Sequence, residues 1–172
     1  VLFVGNDSNR EFDKVVKIAN TLSNIQFTII SKQLKNTDFI NDNVRFIRGS
    51  WGNQEISDSE LRDIYSKSKL VIIPLRESYQ PSGQSVALQA MALKTPVLIS
   101  STMGFWDIEN FQNNINIFFN YQNTTESWIE MIQYLYGNKE LLFEVAENAH
   151  KVINAKYSKE SFEKELSRIV GI

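Results

Sequence analysis

Ser82, Gly83, Gln84 and Ser85 stand together where an apolar run closed by Pro74 gives way to a helical pattern. Free backbone N–H groups at a helix start, with the helix dipole behind them, attract anions. Glycine lets a ligand approach the backbone closely, and serine adds a hydroxyl. Ser82, Ser85 and Gln89 fall at helical spacing on one face, while Val86, Ala90 and Leu93 fall on another suited to a core. From Ser82 to Gln89 is ~10 Å of helix, the reach from a phosphate or sugar to a ribose along one extended ligand. The same residues fit a plainer account, with Ser82 as an N-cap and Gln89 as an exposed polar side chain, and pattern alone favours neither. Gly5-Asn6-Asp7-Ser8 is a second glycine turn at a strand end. Taken alone it reads as a tight turn with a helix cap. No Walker loop with its lysine occurs in the chain.

These segments need a scaffold that brings strand ends together. Val1–Val4, Ile25–Ile30, Val44–Ile47, Leu70–Ile73, Pro96–Ile99 and Ile115–Phe119 are short, apolar, non-alternating runs that read as strands. Between and after them the periodicity predicts helices. Asp7 or Ser8 caps one over Arg10–Leu22, with Val15, Ile18, Ala19 and Leu22 on one face; Ser57 or Asp58 caps one to Ser66, with Leu61, Ile64 and Tyr65 inward. Others follow over Ser82–Leu93, Trp106–Phe111 (a short one), Thr125–Tyr136, Lys139–Asn154 and Ser158–Val170. In the last of these Phe162, Leu166 and Ile169 face inward, and the charged residues face solvent. Lys32–Asn41 and Gly49–Ser57 read as irregular connections. Alternating strands and helices predict an α/β domain, a Rossmann-like, doubly wound parallel sheet of about six strands flanked by helices. No repeat, linker or low-complexity segment divides it, so residues 1–172 are expected to be a single domain.

Composition removes several classes of function. With no cysteine and a single histidine, His150, the chain holds no disulfide, thiolate metal site or histidine cluster. A net charge of -2 gives no overall attraction to nucleic acid or anionic lipid. No apolar run approaches the ~20 residues that span a bilayer, so no direct membrane insertion is expected. The chain starts inside a strand without an initiator Met, which suggests a C-terminal piece of a longer protein. His150 reads as a surface residue, Met91 as core, and Trp106 with Phe105 as packing under a loop.

The run SKLVIIPLRES…SGQSVALQAMALKTPVLIS resembles the donor-domain signature of GT-B glycosyltransferases, family 4-like. Leu88-Gln89-Ala90-Met91-Ala92 stands where the family usually reads LEAMA, followed by Pro96-Val97. NVRFIRGSWGNQEISDSELRDIY is similar to the family's strand, glycine loop and following helix, and KYSKESFEKELSRI to its C-terminal helix. The resemblance covers nearly the whole chain. It implies one half of a two-domain protein, binding a nucleotide-diphosphate sugar for transfer to a glycan or lipid-linked acceptor held by an absent N-terminal domain. Retention of configuration, no metal or other cofactor, and a cytoplasmic place in polysaccharide biosynthesis are further implications. The fragment alone is expected to be inactive.

Carried over residue by residue, the resemblance implies that Ser82, Gly83, Gln84 and Ser85 face the sugar and diphosphate. Gln89 meets the ribose, Gly49 and Trp51 lie near the base, and Gly5 and Asn6 near the phosphates. Arg10 is a near match to the family's phosphate lysine, and Asn6 stands where its arginine is expected. The family's two glutamates fall on Pro81 and Gln89, and its glycine after LEAMA on Lys94-Thr95. Arg76 and Glu77 are the candidates to supply the missing cation and carboxylate. These departures also keep open a catalytically inactive binding or partner module, and a sugar-nucleotide epimerase of the same fold.

Overall fold

In the computed structural model, which describes residues 1–49 and 56–171, six short strands form one all-parallel sheet. They are β1 (Leu2–Val4), β2 (Phe27–Ile30), β3 (Val44–Ile47), β4 (Val71–Ile73), β5 (Val97–Ser100) and β6 (Phe118–Asn120). The helices are α1 (Phe12–Thr21), α2 (Asp58–Lys67), α3 (Gln84–Ala92), α4 (Thr125–Gly137), α5 (Lys139–Lys156) and α6 (Lys159–Val170). The order β3-β2-β1-β4-β5-β6 is the doubly wound one expected. The winding order reverses between β1 and β4, the switch point at whose carboxyl side open sheets of this kind form a crevice.

The sheet is covered on both faces, which explains its unbroken apolar strands. Phe3, Ile29, Ile72, Leu98 and Phe118 pack with Val15, Ile18, Trp128 and Ile132 of α1 and α4. Leu2, Ile30, Val71, Ile73, Val97 and Ile99 pack with Tyr65, Ala90, Met91 and Ala149 of α2, α3 and α5. Each fully buried apolar side chain contributes roughly 1.5–3 kcal/mol, so these two layers are what hold the loops in place. Asn43, itself buried, closes the end of α1 by donating to the carbonyls of Ala19, Leu22 and Ile25 at 2.9–3.1 Å.

Several local expectations are corrected. Neither Asp7 nor Ser8 caps α1, whose N-cap is Glu11. The first turn comes later because residues 9–11 pair with residues 74–76. Ser57 does cap α2, in a reciprocal box with Glu60. Residues 106–111 form turns rather than a helix, because Asp107 takes the side-chain amide of Asn110 at 2.9 and 3.0 Å. The sixth strand starts at Phe118, since Asn114 adopts a left-handed backbone and Ile115 lies in a turn. The apolar stripe of α6 is not inward: Phe162 and Ile169 are 67% and 76% exposed. Periodicity reveals a stripe but not what covers it. His150 is half-buried, with Nδ1 3.4 Å from the Met91 carbonyl oxygen, so it is not a free surface residue.

Candidate functional site

The crevice between β1 and β4 is closed by a miniature antiparallel ribbon. Glu11 donates its amide to the Pro74 carbonyl (3.0 Å), and Arg76 donates its amide to the Asn9 carbonyl (2.8 Å). Arg10 and Leu75 are the pair between these two bonds. The Arg10 side chain then runs over Gly5 towards the start of α3. A Cβ on Gly5 would meet its Nε at 2.7 Å, and one on Gly83 would meet its Nη1 at 2.9 Å. Gly83 is the N-cap of α3 with φ +79°, a left-handed conformation that suits glycine. The helix therefore opens without a side-chain cap, against a guanidinium.

Arg10 is only 3% exposed. Its Nε lies 3.1 Å from Asp7 Oδ2 but is not aligned for a hydrogen bond, and its Nη1 also has no partner among the described residues. Burial lowers its pKa from the ordinary arginine value, opposed by the charge of Asp7 and the proximity of Tyr65. Tyr65 Oη is likewise buried without a partner among the described residues, and burial raises its pKa against the opposing charge of Arg10. Unpaired buried polar atoms are costly, and among the described residues Arg10 and Tyr65, which interact electrostatically, carry three of them. This is where an incoming anion would find both charge and donors.

The other residues singled out from the sequence divide sharply. Ser82 donates its hydroxyl to Asp7 Oδ1 (2.9 Å), joining the two loops instead of capping α3. Gln84, Ser85 and Gln89 are exposed on α3. Gln89 borders a cavity of about 440 Å3 between α2 and α3, with Leu61, Tyr65 and Leu93 among its walls. Gly5 is buried, with its amide bonded to the Ile30 carbonyl (3.1 Å). The Asn6 side chain is committed elsewhere: Nδ2 donates to the Gly49 carbonyl (3.1 Å) and Oδ1 accepts the Lys32 amide (2.6 Å). It ties the loops after β1, β2 and β3 together. Gly49 packs so close that a Cβ would meet Ile30 Cγ2 at 2.7 Å. Trp51 lies outside the described residues.

Arg76 is exposed at the mouth of the crevice. Glu77 is exposed but occupied, since its Oε1 accepts the Met103 amide (2.9 Å). Next to it, Gly104 donates to the Ser78 carbonyl (2.9 Å) and approaches the Tyr79 backbone so closely that a Cβ would lie 2.6 Å from it. Two further residues escaped the sequence reading. Asp7, read as a cap, contacts both Arg10 and Ser82. Asn123, which no sequence pattern singles out, lies in a network behind Leu75. A polar side chain just after an apolar strand was the only signal for Asn123.

An all-parallel six-stranded sheet in this order, flanked by helices, is the Rossmann-like architecture of GT-B domains. The chain belongs to the glycosyl transferases group 1 family, whose sequence profile matches residues 1–138. An uncharacterised glycosyltransferase of Methanocaldococcus jannaschii is 30% identical over 120 residues, covering 68% of this chain and 29% of that protein. The chain thus spans less than a third of that relative's length. Among solved structures, sucrose-phosphate synthase of Thermosynechococcus elongatus superposes with a TM-score of 0.78 at 17% identity, over 98% of this chain and 44% of that one. The C-terminal domain of a glycosyl transferase group 1 family protein from Francisella tularensis gives 0.69 at 15% identity, over 92% and 86% of the two chains. Anabaena HepE in complex with UDP gives 0.76 at 11% identity, over 99% of this chain and 48% of that one.

Proposed function

We propose that residues 1–172 act as a single nucleotide-sugar-binding domain, the donor half of a hexosyltransferase with a retaining mechanism. The observation that carries this reading is the buried Arg10 guanidinium, which pairs with Asp7 but leaves Nη1 without a hydrogen-bond partner among the described residues, beside the uncapped start of α3. In it, the diphosphate of a sugar donor sits between Arg10 and the first amides of α3, and exposed Arg76 approaches from the mouth. The nucleoside runs along the groove bordered by Gln89, an amide that offers both donor and acceptor to ribose hydroxyls. Solved complexes of HepE with UDP and with UDP-glucose support a donor of this chemical class.

The work of such a site is leaving-group stabilisation. As the glycosidic bond breaks, negative charge grows on the diphosphate. A preorganised cation and helix amides in a crevice shielded from water favour that charge. The reading assigns this role to Arg10 and the Gly83–Ser85 amides, with no metal ion. The acceptor, a glycan or lipid-linked sugar, would be held by another part of the protein. Among the described residues no helix is long and apolar enough to cross a membrane.

Calorimetric titration of the full-length protein with UDP, GDP and their sugars, with and without a chelator, tests this. The expectation is binding that survives chelation and falls roughly tenfold or more in Arg10→Gln, the loss of one or two charge-assisted hydrogen bonds. Silence toward every common nucleotide would overturn it. A second reading, a binding module without turnover, is favoured by one observation: positions 81 and 89 carry no carboxylate, and the Glu77 carboxylate is already engaged by Met103. A transfer assay on the full-length protein separates the two.

A further inference from the structure

Leu75 pairs with Arg10 through bonds made by its neighbours, not by itself. In that kind of antiparallel pair the residue's own amide and carbonyl point away from the partner strand. Both are captured by side chains. The Leu75 amide donates to Ser100 Oγ (2.8 Å), and the Leu75 carbonyl accepts Asn123 Nδ2 (2.8 Å). The Ser100 hydroxyl in turn donates to Asn123 Oδ1 (2.9 Å), so the two side chains form one closed clamp around a single backbone residue.

The clamp is itself fixed from behind. Asn123 Oδ1 also accepts Trp128 Nε1 (2.9 Å) and lies 3.3 Å from Lys14 Nζ. The Asn123 amide donates to Asn120 Oδ1 (2.8 Å). Ser100 is fully buried, and Asn123 holds a left-handed backbone with φ +52°. A hydrogen-bonded route therefore runs from α4 through Asn123 and Ser100 to Leu75, whose neighbours Pro74 and Arg76 bond the residues flanking Arg10. Apolar packing alone would have left the Leu75 polar groups unsatisfied.

We propose that Ser100 and Asn123 are positioning residues that set the Arg10 guanidinium for a diphosphate, although neither touches the ligand. This rests on the donor-site reading above. The clamp fixes Leu75, Leu75 fixes the backbone at Arg10, and the side chain then has one course, over Gly5 to Gly83.

The test is a mutant cycle on the full-length protein, read by titration with UDP and with inorganic pyrophosphate. Asn123→Asp keeps the acceptor but turns a repelling oxygen on the Leu75 carbonyl. Asn123→Gly keeps the left-handed turn and removes the clamp, and serves if the Asp variant fails to fold. Each is measured alone and with Arg10→Gln. The expected result is a roughly tenfold loss of UDP affinity with Arg10 present and little further loss once Arg10 is replaced, because coupled residues are non-additive. A core variant, Val145→Ala, should lower the unfolding temperature and leave UDP affinity unchanged. Losses that simply add, or unchanged affinity in both Asn123 variants, would overturn the proposal. If the unaltered protein binds neither probe, the donor-site reading fails and this inference with it.

Discussion

Gly83 Cα and Arg10 Nη1 stand so close that a single methyl group on the glycine would lie 2.9 Å from that nitrogen. The start of α3 and the guanidinium are thus fitted to each other, and the fit fixes the residue type at position 83. Gly83→Ala would also force an L side chain into φ +79° and meet Ile73 Cγ2 at 2.8 Å. The expected cost is about 2 kcal/mol or more, a fall of at least about 4 °C in unfolding temperature. Nucleotide binding should fall with it. Thermal unfolding and titration check both, and an alanine variant with unaltered stability would show that Arg10 moves freely.

Glu77 is expected to serve the loop more than the chemistry. Glu77→Gln keeps an oxygen for the Met103 amide, so folding and turnover should stay within about a factor of ten of the unaltered protein. Loss of a general base or acid would instead remove roughly a hundredfold or more. Transfer kinetics on the full-length protein decide between them.

Position 94 carries a lysine at φ 55°, where the resemblance leads one to expect glycine. The lysine side chain makes an ion pair with Glu147 at 2.8 Å, half-exposed on the lysine side. Such surface pairs contribute little. Lys94→Gly should therefore stabilise the protein by about 0.5–1 kcal/mol, a rise of about 2 °C. Differential scanning calorimetry would register it, and a fall would mean that the ion pair matters more than the backbone.

Asp107 predicts a pH signature. Burial pushes its carboxyl up, but hydrogen bonds from the Tyr157 hydroxyl, the Asn110 side chain and the Asn110 and Glu109 amides outweigh that and hold it below the ordinary range. Tyr157 is raised by its own burial and by the same bond. A carboxyl depressed on folding gives stability that is present above its unfolded value, near 3.8, and lost as pH falls through the folded value. Asp107→Asn should thus be destabilised at pH 7 and converge on the unaltered protein as pH falls below 3.8 and through the depressed folded value. Urea midpoints across that range test the sign, and a constant gap would refute it.

The strands were legible because a sheet covered on both faces needs unbroken apolar runs, such as LVII at 70–73 and VLI at 97–99. The longer helices fell where expected because their apolar faces are local signals, and Ser57 before α2 was a local cap as well; the short helix expected over residues 106–111 did not form. What escaped was decided by distant partners. Ser82 looks like a cap until Asp7 claims its hydroxyl across the crevice. Asn123 looks like a turn residue until Leu75, far back in the chain, is seen to need a donor. In the candidate site, the glycine turn stands out in the sequence, and Arg10 only through the family resemblance. That Asn6 is committed to binding the loops together does not show in the sequence, since its partners Gly49 and Lys32 lie in the loops after other strands.

The seam between residues 77–79 and residues 103–104 has a practical side. Because the Gly104 amide and the Glu77 carboxylate fasten one hairpin-like edge to the other, neither can be redesigned alone. Exchanging this edge between cousins of this chain would demand transplanting both segments as a matched set, and a chimera receiving just one should misfold locally at that border.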